Sequence, residues 1–337
     1  MFWGISILSL VAVVLLTGLL GFQSENDEHQ SERPRAILAA ASGIGLALCF
    51  YPLIRALPLG QVQLELDALV VLLIWSWRPG TRVLGGILAG LVAIYKPQYA
   101  LLLVWGIVGA EYRFAIAMAG SIMVLVVASI GLFGLTPYLD YLDFLAWLGS
   151  RGHAFFSNQS VNGVLNRALD TESWFVFNHV DAAPYNRLVT MGTLLSTILL
   201  VMCLMVWQYR CRRRGVGPLE LGIALLTLTI ASPVAWAHHF GFLPAMFVVS
   251  LWATHTTFQR GWWIVCYALT AELFFYSVRM SFVNNVLVSA LFIGAVLFLG
   301  LLYRLSAMQQ EARSKSDAVS PGGYPMPVPR GAPMKGS

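Results

Sequence analysis

Apolar residues run along this chain in long unbroken stretches, separated by short polar interruptions. Runs of about 17–23 such residues match the ~30 Å of hydrocarbon that a helix must cross. Their continuity excludes barrel strands, whose lipid-facing and lumen-facing residues alternate. The pattern predicts full spans near 2–21, 36–55, 62–77, 114–135, 187–209, 218–235, 238–257, 262–280 and 285–303. Residues 83–110 depart from it. Pro97 follows Lys96 and divides the stretch into 83–95 and 98–110, each ~20 Å long as helix and too short to cross alone. These are either one kinked span or two half-helices that enter the membrane and return. The predicted fold class is an all-α integral membrane protein, a multi-spanning bundle of about nine full spans plus a pair of half-helices. One membrane domain covers 1–303, with an outer loop at 136–186. The tail, 304–337, is rich in Ser, Gly, Pro and charge and is expected to be disordered.

Composition agrees with lipid as the solvent. Of 337 residues 58% are hydrophobic and 11% charged, against roughly 25% charged in a soluble domain. Mean hydropathy is +0.72. The net charge of +5 does not point to nucleic acid, because the basic residues sit in short loops and the tail without interleaved aromatics. They orient the chain instead. Arg210, Arg212, Arg213 and Arg214 form the strongest cluster and mark a cytoplasmic loop. Counting spans from there puts His238-His239 and loop 136–186 outside, and Glu111-Tyr112-Arg113, Arg260 and the tail inside. A returning half-helix pair also puts Arg33, Arg35, Arg78 and Arg82 inside, whereas a single span at 83–110 would put Arg78 and Arg82 outside. The returning pair is the better fit, and it leaves Met1 outside. The chain is expected to be a multi-pass protein of the cell (inner or plasma) membrane. Phe2–Leu20 lacks a basic n-region and a good cleavage site, so it reads as a span and not a removed leader.

Chemistry concentrates in few places. Ser232-Pro233-Val234-Ala235-Trp236-Ala237-His238-His239 ends a span with a proline break, an interfacial aromatic and two titratable rings. No Cys, Asp or Glu stands at ligand spacing, so no metal is expected. The histidines are either a polar cap on a span or partners for a phosphate. Lys96 either snorkels or meets an anion in a wet pocket at the half-helix tip. Thr136 to Gly149 reads as an amphipathic helix in the interface plane. Phe155 to Arg167 gathers Asn158, Gln159, Ser160, Asn162, Asn166 and Arg167 around Gly163. Its amides suit sugar hydroxyls, or it is a capped helix start with Ser157 or Asn158 as N-cap. Gln61 and Gln63 flank an outer turn and also suit a sugar. Glu65 and Asp67 follow, two apart on different faces of a helix, and need a partner or water. Glu272 and Arg279 share a face and read as structural.

Four of these segments resemble glycosyltransferase family 87, which holds polyprenol-phosphate-mannose-dependent mannosyltransferases of the C-type glycosyltransferase superfamily. Gly60-Gln61-Val62-Gln63 is similar to its Gly-Gln-Val-Asn motif. Gly85 to Pro97 is similar to its glycine-rich segment ending in Lys-Pro. Asn158-Gln159-Ser160 through Asn162-Gly163 resembles its Asn-Gln-Ser-Leu-Asn-Gly loop, and Ser232 to His239 its Ser-Pro-Ile-Ser-Trp…His segment. The resemblance implies an outward-facing site that takes a hexose, mannose in that family, from a polyprenyl phosphate to a lipid or glycan acceptor, without a cofactor. It implies that Lys96 and His238 or His239 lie near the donor phosphate, with Asn158, Gln159 and Asn162 nearby. Gln61 and Trp236 complete the expected substrate-binding set. The family base is an Asp in the first outer loop, whereas Met1-Phe2-Trp3-Gly4 resembles the start of the second span. A chain lacking that loop is expected to transfer little sugar, with Asp140, Asp143, Asp170 and Asp181 as the outer acids available to substitute. The alternative class is a non-catalytic transporter or lipid-handling protein, which a broken helix with a mid-membrane lysine also fits.

Overall fold

The computed structural model describes residues 2–28, 33–169, 174–175, 182–273 and 285–319. In chain order the helices are α1 (Phe2–Glu28), α2 (Arg33–Leu48), α3 (Tyr51–Leu59), α4 (Gln63–Trp75), α5 (Arg82–Tyr95), α6 (Leu101–Val108), α7 (Tyr112–Phe133) and α8 (Thr136–Arg151). They continue as α9 (Val161–Ala168), α10 (Arg187–Cys211), α11 (Pro218–Ala231), α12 (Leu243–Leu251), α13 (Thr257–Thr270), α14 (Asn285–Val288) and α15 (Ala290–Val319). Single 3-10 turns lie at Pro79–Thr81, Pro97–Ala100 and Ala237–Phe240. No strand occurs among the described residues, only an isolated bridge between Asn158 and Trp236.

The all-helical bundle matches the predicted class, but its helices are more broken than nine full spans. Four segments are long and apolar enough to cross a membrane as single helices, at Trp3–Phe22, Tyr112–Phe133, Arg187–Cys211 and Ala290–Lys315. The span expected at 36–55 is a pair, Pro34–Leu48 and Tyr51–Leu59, bent by 52°. Pro52 enters at the start of α3 and Phe50 there is extended, so the backbone turns where proline forbids continuation. The segments expected at 62–77, 218–235, 238–257 and 262–280 carry helices of 13, 14, 9 and 14 residues. α7 and α10 turn Ile116, Val127, Leu132, Leu188 and Leu199 outward, each more than half exposed, as lipid-facing helices do.

Residues 83–110 form the expected pair. α5 stops at Tyr95, and Pro97 opens a 3-10 turn before α6. Arg82, which begins α5, bonds Glu111, just past α6, at 3.0 Å. A pair of helices whose outer ends touch has gone in and come back. Its tip is anchored by Tyr99, whose hydroxyl lies 2.7 Å from that of Thr229 on α11. Glycines bring α5 onto α7. A Cβ at Gly86 would overlap the carbonyl of Phe114, and one at Gly90 would lie 2.7 Å from Ser121, the close approach that helix packing in lipid favours.

α15 sets the distance between the two ends. Near its start, Phe292 N–H donates to Gln159 Oε1 at 3.0 Å. Near its end, Arg313 Nη1 donates to Gly215 O at 3.0 Å. The 21 intervening steps are ~32 Å of helix, about one hydrocarbon thickness. Gly215 belongs with Arg82, Glu111 and Arg113 around one cavity. The basic segments therefore share one end, and the loop carrying Gln159 holds the other. Glu220, buried in the first turn of α11, caps Gly217 N–H at 2.7 Å and accepts hydrogen bonds from Ser306 and Gln310. This docking helps explain why α15 stays helical to Val319, where the sequence pattern ended the span at 303 and expected disorder.

On a background lacking Cys49, Cys203, Cys211 and Cys266, Arg78→Cys and Tyr112→Cys are expected to react with an impermeant maleimide from the same side of sealed vesicles. Asp143→Cys should react from the opposite side. Labelling of Arg78→Cys and Tyr112→Cys from opposite sides would mean that 82–110 crosses the membrane.

Candidate functional site

At the end away from the basic loops, two stretches distant in sequence are laced together. Gln159 N–H donates to Ala235 O at 2.7 Å, and Ala237 N–H to Ser157 O at 2.8 Å. The Asn158 side chain fills the centre of this seam. Its amide donates to His153 O at 2.9 Å and Pro233 O at 3.4 Å. Its oxygen accepts from Ala235 N–H at 3.0 Å and Ser160 Oγ at 2.9 Å. The seam answers a local need: α11 ends at Ala231, Ser232 is extended and Pro233 follows, so the backbone there has no helical partners.

The amides of the loop are engaged by the protein itself. Gln159 Nε2 donates to Phe156 O at 2.7 Å and Val288 O at 2.8 Å. Asn162 Nδ2 reaches Thr193 Oγ1 at 3.2 Å and Arg151 O at 3.4 Å, and its oxygen accepts from Asn166 at 2.7 Å. Asn158, Gln159 and Asn162 are all buried. The helix start is capped by Ser160, which accepts from Gly163 N–H at 3.2 Å, and not by Ser157 or Asn158. Arg167 binds Asn285 Oδ1, Ser289 Oγ and the carbonyl of Asn158 at 2.8–3.0 Å. Burial pushes its guanidinium down to about 10.

The other side of the seam carries the histidines. His238 and His239 sit on the 3-10 turn Ala237–Phe240, their rings perpendicular with centroids 4.8 Å apart. His238 is buried, and neither ring nitrogen has a hydrogen-bond partner. His239 and Trp236 are half-buried. Trp236 stacks loosely on His153, centroids 5.7 Å apart, and meets Phe155 edge-on. α3 and α4 pack against this turn.

Three further groups converge there. The charge of Lys96 acts on Asp67, His238 and His239. Asp67 is buried and accepts from Gln63 at 2.7 Å, while its Oδ2 has no partner. Gly241 leaves room for that carboxylate, since a Cβ at 241 would collide with it. Glu65, on another face of α4, accepts from Ser6 at 2.9 Å. Arg55 donates to the Tyr51 hydroxyl at 2.7 Å, lies 5.6 Å from the Phe156 ring centre, and acts electrostatically on His238 and Glu272.

Gln61 is exposed at the α3–α4 turn, after Gly60 with φ +61°. Asp140 and Asp143 are exposed on α8, and the charges that act on the histidines come from Lys96 and Arg55 instead. Asp170, Asp181 and Arg279 lie outside the described residues. Sequence reasoning missed Arg55 and gave Asp67 no specific partner. An arginine inside an apolar run is itself a signal of function, and Pro52–Leu59 is such a run. Glu272, read as structural, lies within the electrostatic reach of Arg55 and is left-handed, with φ +55°.

Asn158→Ala would strand the Ala235 N–H and the His153 carbonyl, while the Pro233 carbonyl would keep its bond from Ser160 Oγ at 3.0 Å. Buried unsatisfied groups cost ~1–3 kcal/mol each, so a loss of about 3 kcal/mol is expected, read as a lowered unfolding temperature in detergent. A parent-like melt would show that the seam does not hold the two stretches together.

No curated protein and no solved structure matches the chain. The profile of glycosyltransferase family 87 matches residues 1–235. That stretch takes in the glutamine turn, the half-helix pair and the amide loop, and ends inside the seam just before Trp236 and the histidines. With 235 of 337 residues matched on an all-helical, lipid-facing bundle, the chain belongs to glycosyltransferase family 87 and is a multi-pass membrane glycosyltransferase.

Proposed function

We propose that this glycosyltransferase moves a hexose, mannose, from a polyprenyl-phosphate donor to a hydroxyl of a lipid or glycan acceptor on the outer face of the cell membrane. Loop 136–186 then faces outside and the C-terminal tail the cytoplasm, by the positive-inside preference of the arginine-rich end. The observation that carries the proposal is the buried His238 on its 3-10 turn, both ring nitrogens unengaged, packed by α3 and α4 and within the electrostatic reach of Lys96 and Arg55. Positive charge and free ring nitrogens in one place suit a phosphate whose negative charge grows as it leaves.

In this reading the acceptor oxygen attacks the anomeric carbon, the bond from that carbon to the phosphate oxygen breaks, and the configuration inverts. Lys96 and His238 hold the departing phosphate, and His239 stands beside them. Asp67 is a positioning residue that orients Lys96. Trp236 and Gln61 border the sugar. Asn158, Gln159 and Asn162 act through the seam, by fixing the turn that presents the histidines, because their amides already have partners.

Lys96→Ala and His238→Ala are each expected to weaken binding of a polyprenyl-phosphate sugar. Losing a hydrogen bond to a charged group costs ~1.5–3 kcal/mol, roughly a tenfold to hundredfold loss in affinity. The measurement is donor binding to purified protein, with the unfolding temperature as a check on folding. Folded variants that bind donor as the parent does would return these residues to structure.

A further inference from the structure

The arginine-rich end of the bundle holds a second candidate site. A cavity of about 820 Å³ opens between the feet of the half-helix pair, the α10–α11 loop and the end of α15. Arg82, Arg113, Arg214 and Arg313 line it against a single carboxylate, Glu111. Arg82 is nine-tenths buried, with its side chain 10% exposed. Its Nε bonds Glu111 at 3.0 Å, its Nη2 donates to Val216 O at 2.8 Å, and its guanidinium carbon lies 3.8 Å from the Trp77 ring centre. Its Nη1 is buried and has no partner. A buried guanidinium donor without a partner is costly, and Arg82 lines the cavity, where an anion would offset its charge.

We propose that this cavity binds the phosphate of an anionic phospholipid head group. The chemistry it recognises is a phosphate anion. Its position favours a lipid as the source. Tyr112 and Arg113 line the cavity and also begin α7, whose outward face carries Ile116, Met123, Val124 and Val127. A head group seated between Arg82 and Arg113 could run its acyl chains down that apolar face. Arg113 and Arg214 are exposed and can close on the phosphate as bidentate donors. Basic pockets between membrane helices at the cytoplasmic surface are the setting in which such head groups are held. The cavity lies at the foot of α5 and Lys96 at its tip, about 20 Å of helix away, so its occupancy is read without reference to sugar transfer.

The test is lipid retention by the purified full chain, measured by native mass spectrometry after exchange into mixed micelles of phosphatidylglycerol and phosphatidylcholine. The expected result is selective retention of phosphatidylglycerol. Arg113→Gln and Arg214→Gln should each weaken it about fivefold, the factor that ~1 kcal/mol per basic residue gives. Arg210→Gln and Arg212→Gln remove charge from the same loop without lining the cavity, and should leave retention near that of the parent. These variants spare Arg82, which holds Glu111 and the Val216 carbonyl. Equal loss in all four variants would mean diffuse surface attraction and would overturn the proposal, as would equal retention of the two lipids. Binding of inorganic phosphate that depends on Arg113 and Arg214, without lipid retention, would overturn the lipid assignment.

Discussion

A backbone group in hydrocarbon has no water to bind, so every helix break at membrane depth must be answered by the protein. This chain breaks often. Helices stop at Leu48, Tyr95, Ala231 and Leu251, and each stop leaves carbonyls without helical donors. At the break after Ala231 the answer is the strand-like seam with Ser157–Gln159 and the Asn158 amide within it. At the break around Lys96 it is a 3-10 turn held against α11 by Tyr99 and Thr229. The loop that supplies the first answer is in turn fixed by Arg167, which gathers backbone carbonyls of that loop and side chains at the α14–α15 junction.

From this constraint follows the division of labour among the polar side chains. Asn158, Gln159 and Asn162 are the residues that sequence logic offers to a sugar, because amides both donate and accept. A broken backbone needs the same property. Their engagement by carbonyls and N–H groups contrasts with His238, across the seam, whose two ring nitrogens have no partner. A motif can thus be essential to a site without touching its ligand.

The legible parts of the fold were those set by local covalent chemistry. Pro97 after Lys96 forces a break wherever the chain lies, and two short apolar stretches on either side leave few alternatives; the contact of Arg82 with Glu111 is the outcome. Four of the arginines that the charge walk put on one side, Arg82, Arg113, Arg214 and Arg313, line one cavity. What sequence could not give was length. An apolar run says that a segment lies in lipid, but Pro233, Pro52 and Pro244 decide where helix begins and ends within it, so full spans became helices of 9–14 residues. Nor did it give the cap of α9, since Ser157, Asn158 and Ser160 are equivalent by residue type and only the pairing of Asn158 with Ala235 leaves Ser160 in place. The helical stretch 304–319 was hidden for a similar reason: its partner, Glu220, is far away in sequence.

The unsatisfied atoms then acquire meaning by contrast. In a structure that engages nearly every group of the seam, Asp67 Oδ2 and both nitrogens of His238 stand unpaired at one end, and Arg82 Nη1 at the other. Burying such groups costs stability that the neighbouring carbonyls show how to avoid. Gly241 sharpens the point, because it leaves room for the Asp67 carboxylate where any side chain would displace it. Space is thus kept for an acid that has one hydrogen-bond donor and lies within the field of Lys96. In the role proposed for Asp67, such an acid favours Lys96 at the tip of the returning pair over snorkelling along α5 to the interface. In the proposed site the half-helix break and the buried acid act together: one brings a cation to the tip of the pair, and the field of the other favours its staying there.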